Sequence, residues 1–91
     1  MSTDVVHNSD ARRFEVRDGD VPAVLEYQLV PGRIVFTHTG VPKDMEGRGI
    51  GGALARAGLE HARRHDLAVR PVCPFVAAYI ARHPEYADLV R

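Results

Sequence analysis

The chain is short of the features that mark several large protein classes. It has a single cysteine, Cys73, so the paired cysteines of a small secreted scaffold are missing and a reducing, cytoplasmic setting is expected. It has no excess charge: twelve Lys and Arg stand against twelve Asp and Glu. Duplex-binding proteins normally show a basic excess, so nucleic acid is not expected as the main partner. The opening "MSTDVVHNSD" lacks the charged start and apolar run of a signal peptide. No apolar stretch approaches the ~20 residues of a membrane span, so no membrane partner is expected. Metal-ligand spacing is absent as well. Of five histidines, only His61 and His65 stand four apart, and without an HExxH frame they read as part of a solvated helix end. There is no internal repeat, low-complexity tract or linker.

What remains is 91 residues with a hydrophobic share of 45%, enough for one small domain over residues 1–91. A core of this size gains from an oligomeric partner or a bound ligand, and the sequence leaves the oligomeric state open. Three runs alternate with period two: "RRFEVR" (12–17), "AVLEYQLV" (23–30) and "RIVFTHTGV" (33–41). They are separated by the turn-forming "DGD" and "PGR". In the third run Ile34, Phe36 and His38 share one face. A helix is expected from Ile50 to His65, its apolar stripe carrying Ile50, Leu54, Ala57 and Gly58. Its polar face carries Arg56, Glu60, Arg63 and Arg64, with Glu60–Arg64 spaced for an ion pair. "DLAVRPVC" (66–73) reads as a fourth strand. "PFVAAYIARH" (74–83) reads as a second helix, with Pro74 suited to its first turn. The order β-β-β-α-β-α implies a mixed α+β fold: an antiparallel meander, a right-handed β-α-β unit with parallel strands, and a C-terminal helix. Residues 1–10 are expected to be loosely ordered.

The most informative stretch is "DMEGRGIGGALARAGL" (44–59), with glycine at 47, 49, 51 and 52. Each interior helix glycine costs roughly 1 kcal/mol relative to alanine. A strand, a glycine turn and a helix N-terminus together form an anion site, because free N–H groups and the helix dipole meet there. Tight packing alone is the plainer explanation, and four glycines in six residues count against it. A Walker loop needs Lys and Ser or Thr after its last glycine, whereas Gly52 is followed by Ala53 and Leu54. Gly47, Gly49 and Gly52 match GxGxxG, but the chain is too short for the dinucleotide fold and its following strand ends at Val72-Cys73 instead of an acid.

"EGRGIGGAL" resembles the pyrophosphate loop, Q/R-x-x-G-x-G/A, of the GNAT acetyltransferase superfamily. Together with "FTHTGVP" and "VRPVCPFVAAYIARHPEY" it resembles the small YjdJ-type branch of N-acetyltransferase-like domains, over most of residues 33–90. The resemblance implies a minimal GNAT-like fold and acetyl-CoA or coenzyme A as cofactor. The pantetheine arm would run beside Thr39–Val41, between strands splayed at their C-terminal ends. The pyrophosphate would meet backbone donors of Arg48, Gly49, Ile50, Gly51, Gly52 and Ala53, with Lys43 and Arg48 as nearby cations. Similar sequences often carry an acid at Gly40, and this chain does not. Two registers of the pattern are open: Arg48 to Ala53 satisfies it outright, and Glu46 to Gly51, the preferred one, puts Glu46 where Gln or Arg is usual.

Acetyl transfer needs deprotonation of an amine, a donor for the thioester oxygen and a proton for the leaving thiolate. Three candidates follow. Tyr79 occupies the region where the superfamily often has an acidic tyrosine, and is otherwise a core aromatic. Cys73 precedes a helix whose field lowers a thiol pKa, so it could accept an acetyl group, and is otherwise a small buried hydrophobe. His38 could act as base or orient Cys73, and is otherwise a hydrogen-bonded core residue. The leading expectation is an acetyl-CoA-dependent N-acetyltransferase. Its short loops leave the acceptor side open, which suits a protein-borne amine. The alternatives are a coenzyme A-binding module without transferase activity and an interaction domain that keeps only the fold.

Overall fold

The computed structural model describes residues 4–91. Five strands form one sheet in the order β1-β2-β3-β4-β5: β1 (Val6–Asn8), β2 (Arg13–Val16), β3 (Ala23–Val30), β4 (Arg33–Gly40) and β5 (Ala68–Pro71). The first four are antiparallel, and β4 with β5 is parallel. A crossover helix, α1 (Ile50–Arg64), joins that parallel pair, and α2 (Pro74–Arg82) follows β5. A 3-10 turn (Lys43–Met45) precedes the glycine loop, and another (Pro84–Leu89) closes the chain. The fold is the expected mixed α+β meander plus β-α-β unit, with one strand more than the sequence pattern shows. Strand β1 lies within the stretch expected to be loose. Residues 1–3 of that stretch lie outside the described residues.

The helices cover one sheet face. Leu25, Ile34 and Phe36 of the sheet and Leu54 and Leu59 of α1 are fully buried there. Gly58 is what lets α1 come so close. A Cβ at that position would stand 2.8 Å from Phe36 Cε1 and 3.0 Å from Leu25 Cδ2. The polar face of α1 is not simply solvated. Glu60 accepts a 2.7 Å hydrogen bond from the Tyr86 hydroxyl instead of pairing with Arg64, and Arg63 pairs with Asp88. Buried Tyr86 and Leu89 thereby lash the C-terminal turn to α1. His61 is likewise not in solvent. Its ring packs edge-on against His7 of β1 and Phe14 of β2, and lies 4.2 Å from His65.

A register shift in β4 decides what reaches the site. Tyr27 pairs with Phe36, but the next residue, Glu26, pairs with His38. Thr37 is therefore one residue extra, a β-bulge, and its hydroxyl donates to the Glu26 carbonyl at 3.2 Å. Strict alternation would put His38 on the helix side with Ile34 and Phe36. The bulge reverses the phase, so Thr39, partner of buried Leu25, takes the helix side. His38 turns to the open face and is exposed.

Candidate functional site

Strands β4 and β5 part company early. Their pairing ends at Phe36 and Pro71, with one last bond from Cys73 N–H to the Phe36 carbonyl at 2.9 Å. Past that point β4 runs on to Gly40 while the chain after β5 turns into α2 at Pro74. Pro74 has no N–H to lose and a φ suited to the first helical turn, so the sequence enforces the divergence.

Beside the free end of β4 lies a cleft of about 600 Å³. Its lining comes from residues 39–41 of β4 and beyond, residues 45–47 and 49–52 of the loop and α1, and Phe75. Met45 and Ile50, both 1% exposed, anchor the two ends of the loop in the core. Between them Gly47 and Gly49 have φ of +81° and +74°, a backbone region costly for any residue with a Cβ. Helix α1 begins at Ile50 with Gly49 as N-cap and no side-chain cap. Its first intrahelical bond runs from Ala53 N–H to the Gly49 carbonyl at 3.0 Å. The N–H groups of Ile50, Gly51 and Gly52 have no partner within the helix, and all three residues line the cleft. This geometry suits an anion held by main-chain donors.

Two residues of the expected cofactor loop lie outside the lining of the cleft. Ala53 does not line the cleft, and its N–H is used within the helix. Arg48 does not line it either, because its guanidinium turns to Asp18 at 2.6 Å. Thr39, Val41, Gly49, Ile50, Gly51 and Gly52 do line it. Glu46 lines it too, and Phe75, which the sequence reading passed over, closes one wall. A Cβ on Gly51 would meet the Phe75 ring at 2.8 Å, so that glycine makes room for the ring before any ligand arrives.

Of the three candidates for chemistry, His38 lies on the opposite face of β4 from Thr39 and Cys73. Cys73 is 3% exposed and lies behind Thr39, whose Oγ1 is 3.3 Å from Sγ. Burial pushes the thiol pKa up. The Thr39 hydroxyl and the N–H groups of Val76, Phe75 and Thr39 outweigh it, holding the thiol below its ordinary value. Tyr79 is buried, stacked 3.9 Å from His83, with its Cε2 3.6 Å from where a Gly52 Cβ would be. His83 donates from Nδ1 to the Tyr79 carbonyl, 2.9 Å away. His38 stands across the strand from Cys73, so it does not orient the thiol; Thr39 does. The His38 Nε2 leans over Gly40, 3.1 Å from where a Cβ would sit. Gly40 and Val41 also border a second depression of about 300 Å³, walled by Val21, Pro22, Val24 and Pro42. The end of β4 thus borders both hollows through Gly40 and Val41, while Thr39 lines only the first and His38 lines neither. Among the described residues no cluster of His, Cys, Asp or Glu suits a metal ion, and no helix is long and apolar enough to cross a membrane.

A parallel strand pair that splays beside a glycine loop and an uncapped helix start defines a mixed α+β domain with an open cleft at its glycine loop. Residues 13–89 match the family described as GCN5-related N-acetyl-transferase, and the chain belongs to that family. It is 37% identical to the mouse protein NATD1 over 83 residues, covering 88% of this chain and 76% of that one. The zebrafish NATD1 is 30% identical over 91 residues, covering 94% and 83%. A GCN5-like protein of Staphylococcus aureus, solved in solution by NMR, superposes with a TM-score of 0.77 at 27% identity, covering all of this chain and 91% of that one.

Proposed function

We propose that the protein transfers an acetyl group from acetyl-CoA to an amine. The observation that carries this reading is the cleft of about 600 Å³ beside β4, lined by Ile50, Gly51 and Gly52, whose N–H groups have no partner within the helix. Those groups would receive the pyrophosphate, and residues 39–41 would flank the pantetheine arm. The thioester would then lie near Thr39. The amine nitrogen attacks the thioester carbonyl carbon, a C–N bond forms and the C–S bond breaks. The amine's proton leaves to a base, and the coenzyme A thiolate takes up a proton. His38 is exposed on the opposite face of β4 and lines neither hollow, so its part as base is the element of this reading that needs a direct test. The open second depression fits an amine carried on a protein.

A second reading has its own observation. The depressed Cys73 thiol, bonded to Thr39 at the start of α2, favours a step in which the thiolate takes the acetyl group and releases coenzyme A. Intact-mass measurement after incubation with acetyl-CoA separates the possibilities. An acetyl adduct that Cys73→Ser abolishes supports the covalent step. Release of coenzyme A only when an amine is added supports direct transfer, and a loss of about a hundredfold or more in His38→Ala would then identify His38 as the base. Tight coenzyme A binding with neither result indicates a binding module.

A further inference from the structure

The glycine loop is short of tethers. Glu46, Gly47, Arg48 and Gly49 span the gap between buried Met45 and buried Ile50, with left-handed backbone at both glycines. Such a segment is entropically costly to hold in one shape. No side chain caps α1. Among the described residues, the loop's one side-chain hydrogen bond runs from Arg48 Nη2 to Asp18 Oδ2, 2.6 Å away. Asp18 stands in the turn between β2 and β3. The two side chains are 26% and 31% exposed, so the pair is largely shielded from water. Its direction matters as much as its strength. Gly47 and Gly49 line the cleft and Arg48 does not, so the loop's only cation is held outside. The cleft offers an anion main-chain N–H groups instead of a guanidinium.

We propose that Asp18 is a positioning residue for the cofactor. By holding Arg48 away from the cleft it keeps the loop in the shape that aims the N–H groups of Ile50, Gly51 and Gly52 at a pyrophosphate. Asp18 touches no ligand itself. The inference rests on the coenzyme A reading above, and adds that the β2–β3 turn is part of the cofactor site. That turn also supplies Val21 and Pro22 to the second depression, so one ion pair joins the two hollows. The opposite arrangement, in which Arg48 serves the phosphate and Asp18 competes for it, differs in the sign of a measurable effect.

The test is calorimetric titration of coenzyme A into the wild type, Asp18→Asn, Arg48→Met and the double variant, with amide spectra to check the fold. Asp18→Asn should weaken coenzyme A by about fivefold, the scale of a single ion pair. The double variant should bind no worse than the weaker single variant, and Asp18→Glu should recover part of the loss. Amide shifts in the unliganded variants should stay near residues 17–22 and 46–52. Tighter binding by Asp18→Asn overturns the proposal, because it means the carboxylate competes with the phosphate. Unchanged affinity overturns it, as does a loss accompanied by disturbed amides throughout the sheet. A wild type that takes up no coenzyme A refutes the cofactor reading itself, which is a different result from a wild type that binds and an Asp18 variant that binds equally well.

Discussion

At the scale of single residues, the glycines around α1 divide by task. Gly47 and Gly49 are set by positive φ, Gly51 by the Phe75 ring, and Gly58 by Phe36 and Leu25. Gly52 has only an ordinary 3.6 Å neighbour in Tyr79. Two alanine substitutions in one helix should therefore have opposite signs. Gly52→Ala should stabilise the unliganded protein by about 0.5–1 kcal/mol, through helix propensity alone. Gly58→Ala should destabilise it by about 1–3 kcal/mol, since buried ring and methyl atoms would have to move. Gly49→Ala should cost about 1–2 kcal/mol for a left-handed residue with a Cβ. Urea unfolding of the three variants reads all of these. From the sequence the cluster at 47–52 has one common reading, the phosphate, because spacing cannot show which glycine faces a ligand and which a neighbouring ring.

At the scale of elements, β1 shows why a short strand escapes pattern reading. It has three residues, and Val6 and His7 are exposed, so it carries no apolar alternation. Cross-strand pairing to β2 holds it, together with the His7 ring, which stacks on Phe14 at 4.3 Å and bonds the Tyr27 hydroxyl through Nε2. Histidines 7, 61 and 65 then form a row. Desolvation against Phe14, then the charge His65 would carry, holds His7 below its usual pKa. Burial pushes His61 down to about 4, helped by His7, His65 and Arg64. A histidine whose folded pKa is lowered binds more protons when unfolded, so its contribution to stability is present above pH ~6.5 and is lost as pH falls toward the folded value. Thermal midpoints should drop between pH 7 and pH 5, and His61→Leu should flatten that slope. A wild-type midpoint unchanged over this interval would count against the cluster. The bulge in β4 is equally invisible to alternation. "RIVFTHTGV" reads as one continuous strand, and only pairing with β3 shows that Thr37 is extra and that Thr39, not His38, reaches Cys73.

At the scale of the whole molecule, much was legible. Turn residues and period-two runs marked the meander, and the strand–glycine loop–helix–strand order marked the parallel pair and the cleft. The resemblance of three separated motifs named the family. Side-chain direction was not legible, since Arg48 stands in the right motif yet turns to Asp18, and neither was it legible that the Ala53 N–H is taken by the Gly49 carbonyl. A protein with so small a core should respond strongly to its ligand. Coenzyme A at about a hundred times its Kd adds about 2.7 kcal/mol, which for a chain of this length should raise the thermal midpoint by roughly 10 °C or more.

On the proposed reading, the cleft between β4 and the start of α1 holds the pyrophosphate through main-chain donors. Titration of coenzyme A into isotope-labelled protein, followed amide by amide, tests it directly. Saturable shifts should be largest at Ile50, Gly51 and Gly52, with a second group at Thr39, Gly40 and Val41. Absence of saturable shifts at millimolar coenzyme A, or shifts concentrated on another face of the molecule, would contradict it.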